Sequence, residues 1–421
     1  MVRKLQMLLL ALALVGPVGP AFAASEVDSL LNKLVEKGVL SVTEAQEVRN
    51  DMAAEAKGLA KAREAEIKAY AQKKLIPSWV MNTKWFGDFR LRFESQLKNY
   101  AKDRNRERFR LRFGFKTKPT DNVEVGVRVA SGAQEVTSTN QSFTDTFSNK
   151  PLDIDKAYLK YSPFDWMSMT GGKMGIPFEN TDLVWDGDVT PEGAALNLTT
   201  PEGAEWPIKP FVNLGAFRVD ELSGDAGDPG LFGIQGGAEM KVPGLGWSWM
   251  PAVAYYDWTG IRGQNTAGIT NAPSGNTRKA AGSFRDDFDV VDVMSQIKIP
   301  EIPVIGKPAK LFADYAYNIA AADDDGAYQF GVSVGKVKKF GDWEASYAYK
   351  RLESDAVFGA VTDSDFGGGG TGHKGHKFGA KLGLAKNWYA QVTYFRVEDL
   401  EPTSGLERRN NTLQLDTVVK W

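Results

Sequence analysis

The side chains of this sequence that could act on a solute are arginines, and they occur in two copies of one motif. Phe-Arg-Leu-Arg-Phe stands at residues 89–93 and again at residues 109–113. Successive side chains of a strand point to opposite faces, so the Phe and Leu residues share one face and the arginines the other. The motif therefore predicts strands that separate an apolar from an aqueous environment. The arginines on the aqueous face of these strands can act on solutes through their charge.

Two architectures provide such an environment. In a soluble β-sandwich the apolar face meets a protein core and the arginines meet bulk water. In an outer-membrane barrel the apolar face meets lipid and the arginines line a watery lumen. The barrel reading predicts a basic wall on neighbouring strands, made of Arg90, Arg92, Arg108, Arg110, Arg112, Arg128, Lys156 and Lys160.

A basic wall needs counter-charge, and two arrangements supply it. Asp186, Asp188 and Glu192 lie in the long link 175–192. We expect this link to fold inward and to form, with the basic wall, a constriction with a transverse field. Alternatively, the arginines pair with carboxylates on adjacent strands, such as Asp88, and brace the wall. We favour pore lining because the arginines outnumber their close acidic neighbours.

Catalytic and metal sites have little support in the sequence. There is no cysteine, so thiolate nucleophiles and Cys-based metal or haem sites are excluded. His373 and His376 follow a Gly-rich stretch, where a solvated outer loop is the expected environment. Because both histidines lie in one stretch of the chain, a His-dependent catalytic triad has little support. We therefore predict a protein that is not an enzyme and has no metal site and no cofactor.

The N-terminal region differs from the rest of the chain. Residues 1–23 combine Arg3 and Lys4, an apolar run and Ala21-Phe22-Ala23, which is typical of a secretory signal peptide. Residues 24–76 are rich in Ala, Glu, Lys and Leu, and capping-box spacing predicts helices near 26–37 and 42–74. We expect a periplasmic helical hairpin or a coiled-coil stalk.

From residue 77 to 421 the pattern has a period of two, which predicts one barrel with about sixteen antiparallel strands. Most candidate strands have ten to twelve residues, enough for a tilted strand to cross a bilayer. The candidate strands are 84–95, 106–117, 122–133, 154–162, 166–174, 193–199, 210–220, 231–242, 247–258, 288–299, 308–319, 327–338, 342–352, 376–385, 387–398 and 411–421.

The links between these strands alternate between long and short. Long links such as 134–153 and 353–375 alternate with short ones such as 118–121 and 163–165. This asymmetry is typical of an outer-membrane barrel with short periplasmic turns and long outer loops. Nine tryptophans near strand boundaries predict aromatic girdles at the two interfaces: Trp79, Trp85, Trp166, Trp247, Trp249, Trp258, Trp343, Trp388 and Trp421.

Several stretches resemble the bacterial putative porin family of outer-membrane β-barrels. They are residues 31–47, Gly172-Lys173-Met174 followed by Pro177-Phe178, residues 182–193 and the ending 413–416. The resemblance implies a channel for small hydrophilic solutes, often trimeric. The final aromatic residue, Trp421, resembles the signal that the barrel-assembly machinery of Gram-negative bacteria recognises.

The sequence therefore predicts an outer-membrane porin for passive diffusion of small hydrophilic solutes or ions. Its other expected partners are outer-membrane lipid and lipopolysaccharide, the assembly machinery and two further copies of itself. Nearly balanced charge, with 51 Lys+Arg and 53 Asp+Glu, gives no indication of nucleic-acid binding. The alternative from another class is a barrel that sheathes a partner such as an electron-transfer cytochrome.

Overall fold

The computed structural model describes residues 32–39, 41–73, 77–132, 134–221, 227–264, 275–279, 282–401 and 407–421. The predicted signal peptide, residues 1–23, lies outside the described residues. The chain divides into two compact units, Met1–Met81 and Asn82–Trp421.

The first unit is helical. Residues 32–36 form a helical segment, which Gly38 ends with a φ of 68°. The long helix α1, Val42–Lys73, agrees with the predicted helix near 42–74, and α2 is Ser78–Met81. Ser41 and Glu44 form the predicted capping box, in which the Glu44 amide donates to Ser41 Oγ (3.2 Å) and the Ser41 amide donates to Glu44 Oε2 (2.8 Å). A periplasmic hairpin or stalk stays a prediction.

None of the helices among the described residues has both the length and the hydropathy that would let it span a bilayer.

The second unit is one antiparallel sheet that closes on itself. Sixteen long strands and the two-residue β4 are present in the described residues, as the sequence predicts for the long ones. They are β1 Lys84–Lys98, β2 Arg104–Thr120, β3 Val123–Ser131, β4 Gln141–Ser142, β5 Leu152–Phe164, β6 Met167–Lys173, β7 Glu192–Thr199, β8 Ile208–Arg218, β9 Gly230–Lys241, β10 Ser248–Thr259, β11 Phe288–Ile302, β12 Lys307–Asn318, β13 Gly326–Gly335, β14 Trp343–Leu352, β15 His373–Ala385, β16 Trp388–Asp399 and β17 Arg409–Lys420. Long strands adjacent in sequence pair with each other, and β17 pairs with β1 to close the barrel.

The two faces of the strands have the polarity that a lipid-facing barrel requires. On β1, Leu91 and Phe93 are exposed on the outer surface, whereas Arg92 and Glu94 are buried on the inner one. The same alternation continues on β17, where Leu415 is 43% exposed and its neighbours Gln414 and Asp416 are buried. The apolar side of the Phe-Arg-Leu-Arg-Phe motif therefore points away from the lumen, which excludes the sandwich arrangement.

The two ends of the barrel differ, as the alternating links predict. Links 121–122, 165–166 and 386–387 are tight turns at one end, whereas 132–151 and 353–372 are long loops at the other. Exposed tryptophans gather at the short-turn end: Trp85, Trp166, Trp206, Trp249, Trp343, Trp388 and Trp421.

The prediction for Trp258 was wrong. This residue is 3% exposed, because its ring lies inside the barrel. Its ring centroid is 4.6 Å from that of Phe358 and 5.7 Å from that of Trp185. A boundary position in the sequence does not distinguish an inward from an outward ring.

The last residue completes the closure of the barrel. Trp421 and Gly87 exchange two backbone hydrogen bonds, both of 3.1 Å. A Cβ at position 87 would lie 2.5 Å from the Trp421 ring, so glycine leaves the space that this ring occupies. Trp421 therefore stabilises the β1–β17 seam, and its recognition by the assembly machinery stays a prediction.

Changing Val293→Arg tests which face meets lipid. Val293 is 45% exposed near the middle of β11, so the variant should lose about 2 to 4 kcal/mol of folding free energy in lipid. Urea unfolding in vesicles, followed by heat-modifiable gel mobility, measures the loss. Val304→Arg, in the turn 303–306 and 95% exposed, is the matched control and should unfold like the wild type. Equal stability of the two variants would contradict a lipid-facing outer surface.

Candidate pore constriction

The link between β6 and β7, residues 174–191, folds into the lumen and is called the constriction loop below. Phe178 packs edge-on against Tyr256 of β10, with 5.1 Å between ring centroids and 73° between planes. The Trp185 ring also packs edge-on against Tyr256, with 5.5 Å between centroids. A Cβ at Gly233 of β9 would lie 2.5 Å from the Phe178 ring, so this glycine provides the space for Phe178. Aromatic packing thus holds the loop against the β8–β13 side of the barrel.

Polar side chains of the wall hold the first part of the constriction loop. Asn197 of β7 donates to the carbonyl oxygen of Pro177 (3.0 Å). Gln235 of β9 both accepts from the Glu179 amide (2.8 Å) and donates to the Glu179 carbonyl (2.7 Å). A loop inside a barrel must pair its backbone groups, and these amides provide the partners. The Pro-Phe motif is therefore fixed from both sides.

A second loop, residues 353–372 between β14 and β15, also enters the lumen, and we call it the second inner loop. The sequence analysis did not anticipate this. Phe358 and Val361 join the apolar cluster around Trp185. The Asp186 amide donates to the Val361 carbonyl (2.7 Å), and the Ser364 amide donates to Asp186 Oδ2 (2.9 Å). The two loops therefore form one body inside the barrel.

Asp182 connects the constriction loop to three strands. Its carboxylate accepts from Gln329 Nε2 of β13 and from Lys377 Nζ of β15, both at 2.5 Å. Lys350 Nζ of β14 donates to the Asp182 carbonyl oxygen (2.5 Å) and lies 3.6 Å from Asp363 Oδ2. Burial opposes ionisation of Asp182, but Lys350 and Lys377 outweigh it and hold its pKa well below the usual range. Asp182 is therefore a charged partner of the lysines.

The inner faces of β1, β2 and β3 carry the predicted arginines, and we call this surface the arginine wall. Most of these guanidinium groups pair with carboxylates. The pairs are Arg92 with Asp416 (2.8 Å) and Asp365 (3.0 Å), Arg108 with Glu94 (3.6 Å), Arg110 with Asp88 (2.8 Å), Arg112 with Asp88 (2.7 Å) and Asp188 (3.1 Å), and Arg128 with Asp155. The bracing alternative therefore describes part of what these side chains do.

Arg90 differs from the other arginines of the wall. Among the described residues no carboxylate oxygen lies within 4.0 Å of its guanidinium. Within the described ranges it donates one hydrogen bond, from NH2 to Asn140 Oδ1, and its buried Nε finds no partner there. Lys156 and Lys160 face inward on β5 and border a cavity of about 390 Å³. Arg90 is thus the arginine of the wall whose charge no contact balances.

The three acidic residues predicted for the constriction differ in their placement. Asp188 reaches the arginine wall through Arg112, and it accepts from the hydroxyl of Thr139 (3.1 Å). Asp186 is buried between the two inner loops. The prediction for Glu192 was wrong. This residue begins β7, and its side chain, which is 65% exposed, pairs with Lys173 at the end of β6 (2.8 Å). Glu192 therefore does not belong to the inward-folded loop.

Between the inner loops and the arginine wall lies a cavity of about 270 Å³. Aspartates of the two loops line it together with Arg90 and Asn140, and Lys377, which also lines it, pairs with Asp182 (2.5 Å). Fixed charges of both signs therefore line one narrow space, which is suited to selecting solutes by size and charge.

Sequence reasoning missed several residues of this site. Arg106, two residues before Arg108 on β2, also faces inward and pairs with Glu94. Asp363 and Asp365, with their partner lysines Lys350 and Lys377, were missed because the second inner loop was taken for an outer loop. Asp182 was missed although its loop was predicted to fold inward, because its lysine partners lie on distant strands. The apolar run at 356–361 beside Asp363-Ser364-Asp365 was the available signal.

The two histidines lie in a strand, so the expectation of a solvated outer loop was wrong. His373 Nδ1 lies 3.2 Å from Asp399 Oδ1, and His376 Nδ1 lies 3.0 Å from the Tyr347 hydroxyl, both across neighbouring strands. In the part of the chain that the structure describes, no group of three or more His, Asp or Glu side chains is arranged to hold a metal ion.

A closed sixteen-strand barrel with an inward-folded loop defines the class of outer-membrane porins, and comparisons with known proteins agree. The family model described as "Putative porin" matches residues 94–289 and 288–421. The chain belongs to the putative porin family. A search of curated proteins found no significant match.

A solved outer-membrane protein shows the same fold at low sequence identity. The high-pH structure of OprB from Pseudomonas putida is 12% identical, with a TM-score of 0.54 over 81% of this chain and 94% of that chain. The outer-membrane channel DcaP of Acinetobacter baumannii is 13% identical, with a TM-score of 0.47 over 80% and 97%. The family match confirms the resemblance noted in the sequence.

The substitution Phe178→Ala should release the start of the constriction loop. It removes a buried ring worth about 3 to 5 kcal/mol and leaves the barrel strands intact. We expect larger and noisier single-channel conductance in planar bilayers, with unchanged heat-modifiable mobility. Phe340→Ala, in a turn and 77% exposed, is the control and should conduct like the wild type. Unchanged conductance in the Phe178 variant would mean that the loop does not restrict the passage.

Asp186 should make ion selectivity depend on pH. Burial, reinforced by nearby Asp363 and Asp188, raises the pKa of Asp186 to about 7, against hydrogen bonds from the Ser364 and Asp188 amides. The carboxyl is neutral below that pH and charged above it, so raising the pH adds a negative charge at the constriction.

The ratio of chloride to potassium permeability should therefore fall a few-fold between about pH 6 and pH 8, since one charge at 4 Å in water is worth about 1 kcal/mol. Reversal potentials in a salt gradient measure this ratio. Asp186→Asn should abolish the step near pH 7, and Glu192→Gln should retain it. A step that survives in Asp186→Asn would assign the titration to another group.

Proposed function

We propose that this porin conducts small hydrophilic solutes and ions passively, through a narrow passage between the arginine wall and the two inner loops. The observation that carries the proposal is that Arg90 of the arginine wall and aspartates of both inner loops line one cavity of about 270 Å³. Fixed charges of both signs across such a space produce a transverse field, and the rigid barrel keeps them in place. A solute is then selected by its size and by the distribution of its charge.

The pairing of the arginines supports this proposal and does not compete with it. Arg112 pairs with Asp88 of the wall and with Asp188 of the constriction loop, so one guanidinium braces the strand and positions the loop. A paired guanidinium still presents its remaining N–H groups to the passage. Bracing therefore preorganises the field that a solute meets.

The sheath alternative is less compatible with the observed lumen. A barrel that surrounds a protein partner needs an open interior. Here the apolar cluster that includes Trp185, Trp258, Phe284 and Phe358 occupies the interior at the level of the constriction loop. The space left beside the arginine wall suits small solutes. A homotrimer, contact with lipopolysaccharide and recognition of Trp421 stay predictions.

Planar-bilayer recording tests the proposal. The purified chain should give discrete, ohmic conductance steps, and heat-denatured protein should give none. Arg110→Glu should shift the reversal potential toward cation preference, because Arg110 lies on the inner face of β2 beside Asp88. Arg409→Glu, the same charge change at an exposed position that pairs with Glu407, is the control. Absence of conductance steps would contradict the channel, and an unshifted Arg110 variant would remove the arginine wall from the ion path.

A further inference from the structure

Arg90 stands in a position where a guanidinium would normally be paired. In the barrel register it lies directly opposite Arg110, and Arg92 is the next inward-facing residue on its own strand. Like charges directly opposite each other on a sheet destabilise it. Arg110 and Arg92 have their own carboxylates, Asp88 and Asp416, whereas the described residues bring none within 4.0 Å of Arg90. An anion beside Arg90 would relieve this repulsion.

The acidic residues that border the same cavity do not serve as that anion. Asp188 is engaged by Arg112, Asp365 by Arg92, and Asp182 by Lys377. Asp363 lies 3.4 Å from Lys377 and 3.6 Å from Lys350. Burial keeps the pKa of Asp186 near 7, so this carboxyl is partly neutral at physiological pH. Asp365 and Asp416 attract Arg90 from beyond 4.0 Å, but both are paired with Arg92, so among the described residues the contact position beside Arg90 is left for a solute.

The surroundings of Arg90 have the features of a small binding site. Its side chain is partly buried, Asn140 fixes one end of the guanidinium, and its buried Nε has no hydrogen-bond partner. The cavity that it borders has about 270 Å³, below the range of about 300 to 1,000 Å³ typical of drug-sized ligands. A planar guanidinium fork fits the two oxygens of a carboxylate or phosphate group.

We propose that Arg90 is the docking residue for a small solute that carries an oxyanion, either a carboxylate or a phosphate group, at the constriction. This inference rests on the proposed channel function and names its solute class. The other arginines of the wall position the strands and the constriction loop, while Arg90 contacts the passing solute.

The test compares wild type, Arg90→Gln and Arg90→Lys in the full chain, with acetate as the carboxylate and methylphosphonate as the tetrahedral probe. The first readout is the probe concentration that halves chloride conductance in planar bilayers. The second is saturation-transfer NMR of each probe with the protein in detergent, which reports binding even if the channel is closed. Arg409→Gln, at an exposed position that pairs with Glu407, is the matched control.

We expect Arg90→Gln to raise the half-blocking concentration of at least one probe about tenfold or more, as loss of a charge-assisted hydrogen bond predicts. The half-blocking concentration for Arg90→Lys should lie between those of the wild type and Arg90→Gln, because lysine keeps the positive charge but lacks the planar guanidinium. The control should match the wild type, and glycerol should be insensitive to Arg90. Dependence for only one probe identifies the carboxylate or the phosphate as the ligand group.

Equal binding of both probes to wild type and Arg90→Gln, or no binding to the wild type, would overturn the proposal. Failure of the channel itself looks different, because the wild type would then give no conductance steps whatever the NMR shows. Heat-modifiable mobility of each variant separates a folding defect from a loss of binding. If Arg90→Gln does not fold, Arg90→Lys carries the comparison.

Discussion

Hydrocarbon offers no hydrogen-bond partner to a peptide group, and this constraint decides the architecture of the second unit. Every N–H and C=O group at membrane depth must pair within the sheet, so the sheet has to close. The closure depends on the register between β1 and β17, which the Trp421–Gly87 hydrogen bonds extend to the last residue. Once closed, the period of two determines which side chains meet lipid and which meet the lumen. The placement of the arginines is a consequence of that register.

The same constraint explains why the lumen is asymmetric. A loop that enters the barrel must satisfy its own backbone, and it does so against amides of the wall such as Asn197 and Gln235. On the β8–β13 side, glycines and small residues leave room for rings such as Phe178. On the arginine wall, long charged side chains contact the loops through ion pairs, such as Arg112 with Asp188 and Arg92 with Asp365. Aromatic rings therefore fill one half of the interior, and the other half carries the charged pairs.

The strands were predictable from the sequence because alternation is a local property of each segment. The sixteen strands other than the two-residue β4 lie where the period of two indicates. They include β7, which is short and adjoins links of irregular length. The site was predictable only in part, because loop placement depends on tertiary contacts. Asp188 is bound by an arginine more than seventy residues away in the chain, and the second inner loop is held by an apolar cluster. Glu192 and Trp258 were misplaced because the face of a residue at a strand end is set by its neighbours in space.

The distribution of paired and unpaired charge separates structural from functional arginines more clearly than position alone. A buried ion pair contributes little net free energy, since desolvation of both groups opposes their attraction. Its value here is geometric, because pairs such as Arg112 with Asp188 and Asp88 hold a loop at one distance from a strand. A guanidinium left without a carboxylate, opposite another arginine, costs free energy in the empty channel. In the channel that we propose, that cost falls when an anion arrives, which is the physical reason for assigning solute contact to Arg90.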